Sequence, residues 1–146
     1  MSQLLISVHR AGLQRLPIAQ RTLREAVRFV LHHEGIRSAT IRIIIADDHT
    51  IRTLNQRYLS HDYPTDVLTF VLGTEPLEVE IYIGGEQARR QAAEYGVPIA
   101  EEFLRLSIHG VLHALGYDDQ TPTQRRAMEA RQEDYVLRLR SWLQQK

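Results

Sequence analysis

The stretch from Ile108 to Leu115 reads IHGVLHAL, apolar on every side except at two histidines. A helix of that composition has no polar face to offer water, so it must run through the middle of a domain with other elements packed around it. The chain has 146 residues, 43% hydrophobic and 25% charged, enough for one globular domain with a single core. No repeat or flexible linker interrupts it, and one domain over residues 1–146 is expected.

The elements that would surround this helix follow from periodicity. Leu4 to His9 suits an opening strand. Leu23, Val27, Val30 and Leu31 fall at helical spacing within Ile18 to His33, with Gly35 as a stop. Ala39 to Ala46, ATIRIIIA, is a β-branched strand followed by Asp47 and Asp48, which can cap a helix running to about Tyr58. Asp66 to Leu72 and Glu78 to Ile83 read as two further strands, with Gly73 to Pro76 as the turn between them. Glu86 to Tyr95 is helical and stops at Gly96. Pro98 opens the central helix, which runs to Leu115, and Thr121 with Gln124 resembles a capping box for a terminal helix containing Met128, Val136, Leu139 and Trp142. Strands come early and helices late, which predicts an α+β fold: a mixed sheet of about four strands, a buried central helix and flanking helices.

Composition limits the chemistry. No cysteine occurs, so disulfides and thiolate-bound metals are excluded, and any metal must be held by His, Asp or Glu. With 18 basic and 18 acidic residues the formal charge is zero, and any nucleic-acid site must be a local patch. The basic residues are almost all arginine, Lys146 being the only lysine. Arginine forks suit phosphate, although codon bias or a preference for arginine ion pairs explains the same count. No stretch reaches the roughly 18 consecutive apolar residues of a membrane span. The N-terminus lacks the pattern of a signal peptide, so a cytoplasmic protein is expected, with no membrane partner.

The two histidines carry the functional reading. His109 and His113 stand at i and i+4, so on a helix their rings project from one face one turn apart. Gly116 allows the backbone to leave the helix with positive φ, and the chain from Tyr117 to Asp119 can then fold back beside that face. Asp119 is thereby offered as a third ligand, with Asp118 as the competing carboxylate. Asp118 can equally orient a ligand, accept a proton or stand as a solvated turn residue. Two imidazole nitrogens and one carboxylate suit a single zinc ion with a fourth position open for water, and activated water makes hydrolysis the natural reaction class. Histidines on a buried helix can also be hydrogen-bonded core residues; the pair at this spacing, followed by a glycine and two carboxylates, favours a metal. Zinc proteases of the HExxH type place a glutamate directly after the first histidine. Gly110 occupies that position here, which disfavours peptide hydrolysis by that mechanism.

The segment HGVLHALGYDD, His109 to Asp119, resembles the HGxLHLxGYDH signature of the YbeY family. Leu54 to Phe70, LNQRYLSHDYPTDVLTF, resembles that family's LNxxYRxxDxPTDVLSF block, and VEIYI, Val79 to Ile83, its GDIxI strand. The blocks keep the family's order over roughly residues 40 to 140. The resemblance implies an α+β metalloprotein and a zinc-dependent, single-strand-specific endoribonuclease. Its expected setting is ribosomal RNA maturation and ribosome quality control, with ribosomal RNA and the small ribosomal subunit or assembly factors as partners.

Three positions depart from the family pattern. Its third histidine is Asp119, a harder ligand that selects zinc less strongly against manganese or other divalent ions. Its arginine in the YRxxD stretch is Leu59, and Arg57 or His61 is offered as a replacement if the stretch is extended and the two share a face. Val79 replaces a glycine. Thr65 and Asp66 match the PTD motif and are candidates for the groove near the ion, though Pro64, Thr65 and Asp66 can simply turn the chain into a strand. Glu80 is a candidate partner for a ligand imidazole, or else an exposed strand residue. Arg52, Arg57, Arg89, Arg90 and Arg105 are candidates for RNA phosphates. The alternative to an enzyme is a ribosome-assembly binding module with a structural metal and little catalysis; a third possibility is hydrolysis of some other ester or amide.

Overall fold

A computed structural model describes residues 3–59 and 65–144. The described residues form β1 (Gln3–Ala11), α1 (Gln20–His33), β2 (Ser38–Ala46), α2 (Asp48–Leu59), β3 (Val67–Thr74), β4 (Leu77–Gly84), α3 (Gly85–Tyr95), α4 (Ile99–Ala114) and α5 (Pro122–Gln144). The four strands make one sheet in the order β1-β2-β4-β3. β1 pairs parallel with β2 and β2 parallel with β4, while β3 returns antiparallel to β4, with Val67 opposite Ile83. The α+β class and the four-stranded mixed sheet expected from the sequence are both present.

Alternation along the central strands decides which face is covered. Ile41, Ile43 and Ile45 of β2 and Val79, Ile81 and Ile83 of β4 are fully buried. They form one core with Leu23, Val27 and Val30 of α1, Ala88 of α3, Phe103, Ile108 and Leu112 of α4, and Met128 and Val136 of α5. Each such aliphatic side chain contributes about 1.5–3 kcal/mol relative to exposure, so the core binds helices and sheet into one unit. α2 packs against a smaller cluster, with Ile51 and Leu54 beside Leu68, Phe70 and Tyr82.

The central helix is as deeply placed as its composition requires. Ten residues of α4 are buried, Glu101 and Glu102 among them. At Gly110 a Cβ would stand 2.7 Å from Ile81 Cγ2, closer than real contacts allow, so glycine is what lets α4 lie directly on β4.

Local signals that involve the chain's own neighbours appear as expected. Asp47 Oδ1 accepts the Thr50 N–H at 2.9 Å at the start of α2. Thr121 and Gln124 exchange side-chain to backbone bonds, each 3.1 Å, and so form a capping box at the start of α5. Two details differ from the sequence reading. The β3–β4 connection is the pair Glu75 and Pro76, and Gly73 lies inside β3, where the pairing register shifts across Leu72 between Val71 and Gly73, so it belongs to a bulge and not to the turn. Pro98 is the N-cap of α4, with an extended backbone (φ −61°, ψ 146°), one position before the first helical residue.

Candidate metal centre

His109 and His113 belong to the last two turns of α4. His109 is half-buried and His113 exposed. The helix ends through paired bonds: Gly116 N–H donates to the His113 carbonyl at 3.1 Å and Tyr117 N–H to the Leu112 carbonyl at 3.1 Å. With φ of +104° at Gly116, this is a Schellman turn, which reverses the chain as soon as the second histidine has been placed.

The loop that follows is fastened from outside. Tyr117 Oη donates to Glu34 Oε1 at 2.8 Å, and Glu34 Oε2 receives Tyr135 Oη together with Arg131 Nη2 at 2.7 Å and Nε at 3.0 Å. Burial raises the Glu34 pKa, but the bonds from Tyr135, Tyr117 and Arg131 outweigh it and leave the carboxyl below its ordinary value. Burial and the same carboxylate push the Tyr135 phenol up to about 12. Glu34 therefore joins the end of α1, the loop after α4 and α5. Within the loop, Asp118 Oδ1 accepts the Asp119 N–H at 2.8 Å, so one oxygen of Asp118 shapes the backbone. Asp119 follows, half-buried.

His109 has a fixed partner. Its Nδ1 donates to Gln132 Oε1 of α5 at 2.8 Å, which turns Nε2 away from that contact. Metal-binding imidazoles are ordinarily held at the non-ligating nitrogen in this way. Among the described residues no three His, Asp or Glu side chains are gathered into a ligand set. The donors nonetheless fit a divalent cation in chemistry: two imidazoles on one helical face, one of them anchored through its far nitrogen, and a carboxylate on the loop that the Schellman turn folds back.

The remaining sequence candidates are scattered. Arg57 is exposed near the end of α2, a segment that is helical through Leu59, so the two-residue alternation of an extended chain does not apply to it. His61 lies outside the described residues, as does the side chain of Leu59. Thr65 and Asp66 are half-buried just before β3, where the Asp66 carbonyl accepts the Gly84 N–H at 2.9 Å. Glu80 faces away from α4: it accepts Tyr82 Oη at 3.0 Å, lies 3.7 Å from Arg42, and lines a shallow pocket with Leu54, Tyr58 and Phe70. It is Ile81, the next residue, that meets Gly110 of α4. The acceptor on His109 is therefore Gln132, which the sequence reading did not single out, and not Glu80.

Arg105 is likewise removed from the RNA candidates. It binds both oxygens of Glu133 at 2.8 and 3.0 Å, Glu102 at 2.9 Å and Glu101 at 3.1 Å, and its side chain is 16% exposed. Arg90 is bonded to Asp48 at 3.0 Å and to Gln87 at 2.7 Å. Arg57 and Arg89 are exposed.

The profile of the family described as Endoribonuclease YbeY matches residues 12–140. The chain belongs to the YbeY family. Two relatives named endoribonuclease YbeY, from Chlorobaculum parvum and Chlorobium chlorochromatii, are each 39% identical, over 84% and 86% of this chain and 88% and 80% of their own lengths. The solution structure of TM1509 from Thermotoga maritima superposes with a TM-score of 0.71 at 28% identity, covering 94% of this chain and 93% of that one. The YbeY match spans every element from α1 to α4 and most of α5, while β1 lies wholly before it.

Proposed function

We propose that this chain is a zinc-dependent endoribonuclease that hydrolyses phosphodiesters of single-stranded ribosomal RNA during ribosome maturation and quality control. Its setting is the cytoplasm, its partners are the small ribosomal subunit or assembly factors, and residues 1–146 act as one catalytic domain. The observation that carries the reading is the pair His109 and His113 on one face of α4, with the His109 Nδ1 already taken by Gln132. The family membership supplies the activity, since the relatives are named endoribonucleases.

His109, His113 and Asp119 hold the ion. A bound divalent cation supplies an activated water and a Lewis acid for the phosphodiester. The Gly116 turn and the Tyr117–Glu34 bond support this reading by holding the start of the loop that carries Asp119. Asp118 is a candidate proton acceptor through the oxygen not spent on the Asp119 amide. Arg57, Thr65 and Asp66 are assigned to the RNA strand, with His61 grouped with them on sequence alone, and Arg89 adds a phosphate contact. Zinc is the first expectation; the carboxylate ligand also admits manganese.

A second reading has one specific support, the leucine at position 59 where the family pattern has arginine: a binding module that keeps the ion and has lost most catalysis. Cleavage of single-stranded and structured RNA with defined metals, comparing wild type with His109→Ala and Asp119→Ala, decides between them. We expect metal-dependent cleavage of the single-stranded RNA that both substitutions abolish. RNA binding with a bound ion and no cleavage would establish the binding module; activity equal in all three proteins would remove the metal site from the reaction.

A further inference from the structure

Gln132 is 8% exposed, and the two ends of its amide meet different neighbours. Its Nε2 donates to Glu133 Oε2 at 3.1 Å, and its Oε1 takes the bond from His109 Nδ1 at 2.8 Å. The direction of the amide is not arbitrary. Arg105 grips both oxygens of Glu133 through Nε and Nη2, which keeps that side chain an ionised, acceptor-only carboxylate. Reversing the amide would set oxygen against oxygen. With the amide oxygen thus turned to the ring, Nδ1 must carry the hydrogen, and in the neutral imidazole the lone pair is then at Nε2.

Arg105 is itself immobilised by Glu101 and Glu102, which are 4% and 1% exposed. Glu101 is bonded in turn by Arg140 at 2.8 Å, and Glu102 by Gln91 at 2.8 Å. The setting of one imidazole near the end of α4 is therefore referred to ion pairs at the beginning of the same helix, by way of α5.

We propose that Gln132 is a positioning residue that holds His109 in its Nδ1–H tautomer, so that Nε2 is presented bare to a divalent cation, with Glu133 and Arg105 fixing the sense of the amide. The inference rests on the reading of His109 as a metal ligand. An unconstrained neutral imidazole carries its hydrogen mainly at Nε2, so without this acceptor the ligating nitrogen would be capped in most molecules before any ion arrived. Loss of a partner of this kind typically lowers metal affinity by about 10–100-fold.

The test uses full-length, metal-free, 15N-labelled protein. Long-range proton–nitrogen correlation spectra report which ring nitrogen of His109 carries hydrogen, the ring being assigned by its missing signals in His109→Gln. Zinc affinity is measured separately by competition with a chromophoric chelator. The expected result is Nδ1–H in wild type. Gln132→Leu, in which Arg105 still holds Glu133, should change to Nε2–H and bind zinc about 10–100-fold more weakly. Gln132→Glu keeps an acceptor and should retain both properties.

Hydrogen at Nε2 in the wild-type protein would overturn the proposal without recourse to any variant. So would a Gln132→Leu protein with the wild-type tautomer and affinity, a result that leaves the zinc reading intact. Wild-type protein that takes up no zinc would instead overturn the ligand assignment itself and the inference with it.

Discussion

Glu34 is the C-terminal cap of α1, and its side chain is only 8% exposed, yet it stays ionised because two phenols and a guanidinium converge on it. Its folded pKa lies below the ordinary 4.5. The stability it contributes is therefore complete above that value and is lost as pH falls through the lower folded one. Glu34→Gln should cost about 1–3 kcal/mol in urea denaturation at neutral pH, since Tyr117, Tyr135 and Arg131 lose their shared ionic acceptor. The same variant should also show a shallower loss of stability between neutral and acid pH than wild type. Glu133 shifts in the same direction, the Arg105 and Gln132 bonds outweighing burial, so part of the acid sensitivity will survive in the variant. Neither Glu34 nor Gln132 was legible as a site residue in the sequence. Glu34 is 83 positions from Tyr117, and Gln132 is 23 from His109. Nothing in a local pattern of charge or periodicity marks such partners. The two histidines were legible because a helix repeats them within its own turn.

The close seat of α4 on β4 makes Gly110 a fold determinant. Alanine favours helix by about 1 kcal/mol over glycine, but at this position its methyl meets a β-branched side chain near its root. Gly110→Ala should therefore lower stability by about 1–3 kcal/mol, measured by thermal or urea melts. Paired with Ile81→Ala, it should cost less than the sum of the two single changes, because the truncated side chain makes room. At Gly116 a Cβ would meet nothing within 4 Å, so alanine there carries only the backbone cost of φ at +104°. That is about 1–2 kcal/mol, and zinc affinity should fall with it as the turn before Asp119 loosens. The orientation of Glu80 was also within reach of sequence reasoning. Val79, Ile81 and Ile83 alternate with Glu80 and Tyr82, and a helix as apolar as α4 has to lie on the aliphatic side. The bulge beside Gly73 was not, since a glycine three positions before a proline reads equally well as a turn.

With zero formal charge over the whole chain, RNA binding must rest on a local basic patch. Arg105 belongs to the ion-pair network beneath α4 and adds none. Each arginine that meets a single-stranded phosphate steepens the dependence of log affinity on log salt by about 0.7. Arg89→Ala should reduce that slope by about this amount, whereas Arg105→Ala should leave it unchanged and lower the melting temperature instead. No helix among the described residues is long and apolar enough to cross a membrane. The sheet order has a further consequence, for synthesis. Because β1 lies parallel to β2, its nine residues cannot close a hairpin with the segment that follows them. Their partners run from Ser38 to Ala46, beyond a whole intervening helix. On a ribosome making this protein, β1 must therefore wait for its β2 partner until that strand has left the exit tunnel.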